Sequence, residues 1–138
     1  MIYQTIATNS QGLRGKLDFS DHASIETQHP LDKGDGFNPE QLISSAWATC
    51  LNATVESLLE AQGKSHYPSK TEVTATLNKE TNKPGYYFSL DARVTIEGMP
   101  LAQAEKLVEE AHQRCPVSKL IRQSPTITLQ VEDAKALD

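Results

Sequence analysis

Two cysteines, Cys50 and Cys115, are the residues of this sequence best suited to covalent chemistry, and they are its only cysteines. Cys50 ends the stretch NPEQLISSAWATC, whose apolar residues favour a raised thiol pKa and a core role. Cys115 directly precedes Pro116, which predicts a helix N-cap whose free N–H groups lower a thiol pKa. Local sequence alone therefore makes Cys115 the more reactive thiol, although an unreactive cysteine cap is an equally good interpretation.

Arg14 and Glu40 are the charged residues that could activate a thiolate. Arg14 would offer a permanent positive charge, and Glu40 could hold it through a paired salt bridge. Alternatively, Arg14 is an ordinary exposed residue and Glu40 a favourable charge in a first helical turn. Ten residues of straight helix span about 15 Å, so Glu40 cannot touch Cys50 of its own helix. Either the helix breaks after NPEQL, or Glu40 and Arg14 approach Cys50 of a partner subunit, which we favour.

A metal site is the alternative that His112 raises, because it lies three residues before Cys115. Catalytic zinc takes three protein ligands and structural zinc takes four. The remaining histidines, His22, His29 and His66, show no paired spacing with either cysteine. We therefore predict a structural His112, no metal site and no cofactor.

The order of predicted elements is βββ-α-ββ-αα-β, which is typical of one α+β domain over residues 1–138 with an antiparallel sheet. Turn residues at NSQG, HPLDKGDGFNP and NKPG separate the elements. The pattern predicts strands in 2–8, 13–20, 21–28, 70–80, 85–98 and 125–133, helices in 39–62, 100–114 and 116–122, and a frayed tail over 134–138.

The helix predicted over residues 39–62 is apolar around most of its circumference. Such a helix must be buried on several sides, and a chain of 138 residues offers too few strands to enclose it. We therefore expect a homodimer in which two of these helices pack together. Trp47 lies one turn before Cys50, where it either fills the core or walls an apolar pocket.

The acidic composition argues against several classes of binding partner. The net charge of −5 opposes binding to nucleic acid or to an anionic membrane surface. No apolar run approaches the roughly 20 residues of a membrane span, and the first residues do not resemble a secretion signal. We therefore expect a cytoplasmic protein, in which a disulfide would be transient rather than structural.

The block NPEQL followed by Cys50 ten residues after Glu40, together with CPVS further on, resembles the OsmC/Ohr family. This family contains osmotically inducible and organic hydroperoxide resistance proteins. The resemblance implies an intertwined homodimer whose antiparallel sheets wrap around two long central helices. It also implies a thiol peroxidase of the stress response in which Cys50 attacks an organic hydroperoxide and Cys115 resolves the product into a disulfide. An arginine and Glu40 would activate Cys50, and a lipoylated protein or small dithiol would be the reductant.

One position departs from the family pattern. The hydroperoxide resistance branch has arginine directly after the glycine, whereas this chain has GLRG, with Leu13 there and Arg14 one residue later. In a strand, this offset would turn the side chain to the opposite face unless a bulge corrects it. CPVSK is closer to the osmotically inducible branch, so the branch stays open.

Our hypothesis is a peroxidase in which Trp47, Leu51 and Phe37 accommodate the organic group of the substrate. The N-cap position alone favours Cys115 as the more reactive thiol, whereas the family resemblance makes Cys50 the attacking thiol. A nearby cation that lowers the pKa of Cys50 would reconcile the two. Two rivals are a dimer of the same fold that binds an apolar ligand without catalysis and a dimer with a permanent disulfide.

Overall fold

The computed structural model describes residues 1–21 and 23–134, and it divides into two compact units, Met1–Leu42 and Ile43–Asp138. The order of elements is the predicted one. Among the described residues, no helix has the length and apolarity needed to cross a membrane. Of the predicted tail, residues 135–138 lie outside the described part. The elements are β1 (Ala7–Asn9), β2 (Lys16–Phe19), β3 (Ser24–Glu26), α1 (Pro39–Ala61), β4 (Ser69–Lys79), β5 (Tyr86–Ile96), α2 (Leu101–Arg114), α3 (Pro116–Ile121) and β6 (Ile127–Glu132).

The first unit carries a small antiparallel sheet in the order β1-β2-β3. Its strands are shorter than predicted, because β1 begins only at Ala7 and β2 only at Lys16. Asn9 ends β1 in a side-chain turn, in which its Oδ1 accepts from the N–H of Gln11 and of Gly12. Of the strand predicted over residues 2–8, only Ala7 and Thr8 lie in β1, and the apolar side chain of Ile6 stays exposed.

The N-terminus of α1 is fixed by a reciprocal cap. The N–H of Gln41 donates to Asn38 Oδ1 at 2.8 Å, and the N–H of Asn38 donates to Gln41 Oε1 at 2.9 Å. This pair satisfies two backbone donors and confirms the predicted N-cap. Just before it, the N–H of Phe37 donates to the Glu26 carbonyl and the Phe37 carbonyl accepts from Gln28, so this segment lies beside β3.

Helix α1 runs without interruption over Pro39–Ala61, so the alternative of a break after NPEQL is wrong. Its last residue is Ala61, and the predicted stop signal Gly63 follows with a positive φ of 69°, which suits glycine. There the N–H of Lys64 donates to the Leu59 carbonyl at 2.8 Å.

The second unit contains a three-stranded sheet in the order β4-β5-β6. Strands β4 and β5 form the predicted antiparallel hairpin, in which Ser69 pairs with Ile96 and Lys79 with Tyr86. Strand β6 runs parallel to β5, however, so the expectation of a purely antiparallel sheet is wrong for this strand. Parallel neighbours need a crossover connection, and α2 with α3 provides it.

The core of this unit joins α1 and α2 to one face of the sheet. Alternate residues of β5 supply the sheet side, and helically spaced residues supply the other. Only one face of α1 is buried within the chain, because Ala46 and Ala53 remain exposed. The buried helix residues are Trp47, Leu51, Val55, Leu58 and Leu59 of α1 and Ala104, Leu107, Val108 and Ala111 of α2.

Candidate functional site

The two cysteines of the second unit lie side by side as free thiols. Cys50 belongs to α1 and is partly exposed, whereas Cys115 lies between α2 and α3 and is completely buried. Both side chains pack in one core cluster, and the Cys115 thiol is close enough to Cys50 to raise its pKa. The fold therefore brings together two sulfur atoms that are far apart in the sequence, and it exposes only one of them.

Cys115 is held by the junction of two helices. Its N–H donates to the Ala111 carbonyl at the end of α2, and its carbonyl accepts from Lys119 in α3. Its Sγ accepts from the N–H of Ser118 at 3.5 Å, which confirms the predicted N-cap. The backbone on both sides therefore fixes this sulfur atom relative to α2 and α3.

The local environment of Cys50 favours the neutral thiol. Burial is the main cause that raises the pKa of Cys50 above its ordinary value, and contact with the Cys115 thiol raises it further. The backbone of Val117, in the first turn of α3, lowers the pKa of Cys50 and partly opposes this effect. A thiolate at Cys50 therefore needs positive charge beyond what these neighbours supply.

Ser118 is the residue of the site that we did not predict from the sequence. Its Oγ accepts from Trp47 Nε1 at 2.9 Å, and both side chains are fully buried. Ser118 follows Cys115 by three residues within the CPVS block, but nothing in the sequence indicates a partner on another helix. The bond fastens the first turn of α3 to α1.

Trp47 and Leu51 are completely buried in the core of this unit. Neither side chain exposes surface to a ligand, so the prediction that they wall a substrate pocket is not supported, and Trp47 takes its alternative role in the core. Phe37 is 44% exposed in the first unit and stays a candidate for apolar contact.

His112 packs beside Trp47, with 6.4 Å between the ring centroids. Burial is the main cause that lowers the pKa of His112; Glu109 opposes the shift and Arg122 adds to it. The buried Nδ1 atom has no hydrogen-bond partner. Within residues 1–21 and 23–134, no group of three His, Cys, Asp or Glu residues is arranged to hold a metal ion.

The predicted pair of Arg14 and Glu40 is not formed within the first unit. Arg14 Nε instead donates to Asp32 Oδ2 at 2.9 Å, and the guanidinium is largely exposed. Glu40 is half-buried, and it forms no ion pair with any residue that the structure describes. Arg14 also precedes β2, which begins at Lys16. The alternation of strand faces therefore does not apply to its one-residue offset.

The chain is thus an α+β protein in which a partly exposed thiol, Cys50, and a buried thiol, Cys115, form one candidate site. Residues 32–130 match the model of the family described as OsmC-like protein, and the chain belongs to this family.

Individual relatives extend this similarity to almost the whole chain. The chain is 31% identical to organic hydroperoxide resistance protein-like 2 of Staphylococcus epidermidis, over 94% of this chain and 95% of that protein. It is 30% identical to the organic hydroperoxide resistance protein of Xanthomonas axonopodis pv. citri, over 94% of each. A crystal structure of a candidate redox protein from Lactobacillus casei superposes with a TM-score of 0.87 at 29% identity, covering 96% of this chain and 92% of that one.

The lowered pKa of His112 predicts a pH-dependent stability. An unfolded histidine titrates near pH 6.5, whereas folded His112 stays neutral to lower pH, so the unfolded state binds more protons between the two pKa values. The free energy of unfolding should therefore fall as the pH drops through this window. Replacing His112→Gln should flatten this part of the profile, measured by urea unfolding from about pH 7 to about pH 5. His66→Gln, at an exposed position, is the control; parallel profiles for wild type and His112→Gln would contradict the prediction.

Proposed function

We propose that this protein is a thiol peroxidase that detoxifies organic hydroperoxides. The observation that carries the proposal is the packing of a partly exposed Cys50 against the core cluster that contains the fully buried Cys115. The relatives named organic hydroperoxide resistance proteins, similar along almost the whole chain, support this substrate class.

The reaction has two steps at the cysteines. The Cys50 thiolate attacks the distal oxygen of ROOH, the O–O bond breaks, and a proton converts the departing RO⁻ to the alcohol, leaving Cys50 as a sulfenic acid. The Cys115 thiol then attacks the Cys50 sulfur, forming the disulfide and releasing water. An external dithiol returns both cysteines to thiols and is itself oxidised to a disulfide.

Activation of Cys50 is the step that needs a second group. Burial favours its neutral form, so we assign the missing positive charge to Arg14, with Glu40 as the carboxylate that holds the guanidinium near the thiolate. In the structure Arg14 is paired with Asp32 through exposed, solvated atoms. Such a pair is weak, and so Arg14 can leave it at small cost.

A homodimer would bring these residues together, with Arg14 and Glu40 of one subunit serving Cys50 of the other. Two features support a partner subunit. The outer face of α1 is exposed and carries the small residues Ala46, Thr49 and Ala53, which permit close packing of helices. The first unit also exposes an unusual number of large apolar side chains, namely Met1, Ile2, Tyr3, Ile6, Leu13, Leu31 and Phe37. Phe37 would then contact the organic group of the hydroperoxide.

Counting free thiols tests the proposed function directly. Reduced protein treated with about one equivalent of cumene hydroperoxide should lose both thiols per chain, because one is oxidised and the other closes the disulfide. Cys50→Ser should retain its remaining thiol. Cys115→Ser should lose its thiol but form no disulfide within the chain. Retention of two thiols in the wild type would sink the proposal and favour a protein that only binds an apolar ligand.

The role of Arg14 predicts a loss of reactivity in Arg14→Gln. Removing a cation near a thiolate raises the thiol pKa by one unit or more, so alkylation of Cys50 near pH 7 should slow at least about tenfold. The rate is measured with iodoacetamide in a Cys115→Ser background. Lys16→Gln removes the same charge two residues away and is the matched control. Asp32→Asn frees Arg14 and should not slow the reaction. Equal rates for Arg14→Gln and Lys16→Gln would rule out this activation.

Reduction of the disulfide should begin at Cys50, because Cys115 is fully buried. The dithiol would attack the Cys50 sulfur and expel the Cys115 thiolate, which the Ser118 N–H can stabilise. In folded single-cysteine variants, Cys50 should form a mixed disulfide with an aromatic disulfide reagent at least about ten times faster than Cys115. Both should react alike in concentrated urea. A faster Cys115 in the folded protein would reverse the assignment.

A further inference from the structure

Ser118 carries a buried hydroxyl group that needs a hydrogen-bond partner. Among the described residues, Ser118 and Thr95 are the only buried polar or charged ones, and Ser118 is not exposed at all. Burying a hydroxyl is unfavourable unless it is hydrogen-bonded. The 2.9 Å bond from Trp47 Nε1 satisfies Ser118 Oγ and also the buried indole N–H.

This hydrogen bond joins α1, which carries Cys50, to α3, whose N-cap is Cys115. Trp47 lies one turn before Cys50 on α1, and Ser118 lies in the first turn of α3, where its own N–H donates to Cys115 Sγ. The backbone of the preceding residue, Val117, lies close enough to Cys50 to lower the pKa of its thiol. Helix α3 has only six residues, so its own hydrogen bonds give little resistance to tilting or sliding. Val117 and Ile121 pack α3 against the core, and the bond between Trp47 and Ser118 adds a directional link from its first turn to α1.

We propose that Ser118, anchored by Trp47, is a positioning residue that holds Cys115 in line for disulfide closure. This inference rests on the proposed peroxidase reaction and concerns its second step alone. In that step the S–S bond forms, the S–O bond of the sulfenic acid breaks, and the oxygen leaves as water with the proton that it receives. Closure competes with a second oxidation of Cys50 to sulfinic acid, so a displaced Cys115 leaves Cys50 open to irreversible damage.

The test separates attack from closure in the full-length protein. Ser118→Ala and Trp47→Phe are mixed with cumene hydroperoxide, and mass spectrometry follows the sulfenic acid, trapped with dimedone, and the disulfide. Sulfenic acid formation should slow far less than closure, because Cys50 keeps its place on α1 and only the influence of Val117 and Cys115 on its pKa can change. Closure should slow about 10- to 100-fold, as expected for a reacting atom misplaced by about 1 Å, and sulfinic acid should accumulate. Closure at the wild-type rate in both variants would overturn the proposal.

The double variant Trp47→Phe with Ser118→Ala distinguishes positioning from mere stabilisation. Ser118→Ala alone leaves a buried indole N–H without a partner and should lower the urea midpoint, whereas the double variant removes both polar groups and should recover much of that loss. A positioning role requires that closure stay slow in the double variant. If the closing rate recovers together with the midpoint, the bond is structural and the proposal fails.

A redox equilibrium tests the inference without any hydroperoxide. Reduced protein is equilibrated with a glutathione buffer, and the ratio of dithiol to disulfide is measured for wild type and Ser118→Ala. Loss of positioning should shift this equilibrium at least about tenfold toward the dithiol. Equal constants would contradict the inference even if the peroxidase reaction holds. Conversely, the proposed function fails if the wild-type protein keeps both thiols when hydroperoxide is added. The glutathione equilibrium would still decide the role of Ser118 in that case.

Discussion

The contact between the first turn of α3 and the middle of α1 is the constraint on which the site depends. At this point the Cys115 thiol meets Cys50, and the Trp47 indole meets the Ser118 hydroxyl. The sheet and α2 serve this contact, since β5 and β6 fix the two ends of the connection that carries α3. Because interiors are tightly packed and barely compressible, a backbone held in this way keeps the two sulfur atoms in reach of each other.

Burial of Cys50 opposes the formation of its thiolate, and the second unit provides no positive charge that would offset this effect among its described residues near Cys50. The apolar surroundings that shelter Cys50 also disfavour its anionic form, and only one backbone N–H opposes that effect. The segment Met1–Leu42 carries the charges that could restore balance, with Arg14 attached to Asp32 and Glu40 at the start of α1. Sulfur chemistry and charge are thus contributed by different parts of the sequence. Under the proposed function, such a division would make the reactivity of Cys50 depend on assembly of the homodimer as much as on the cysteines.

The sequence predicts the order of elements, the cap at Asn38, the stop at Gly63 and the N-cap at Cys115, because each follows from local rules. It does not predict the parallel pairing of β6 or the bond between Trp47 and Ser118, since both depend on partners distant in the chain. Trp47 is an example, because its spacing on the helix fits either a core residue or a pocket wall. Its complete burial in the folded chain places it in the core. The strand predicted over residues 2–8 is mostly absent because alternation alone does not provide a face to pack against.

The parallel pairing of β6 also governs how the protein reaches its folded state. Trp47 and Ser118 are separated by 71 positions, and the connection between β5 and β6 includes both α2 and α3. Closing so long a loop costs conformational entropy that only late, non-local contacts repay, and such topologies fold slowly. The fixed juxtaposition of the two thiols is therefore a product of the completed fold, because no local stretch of sequence can bring α1 and α3 together.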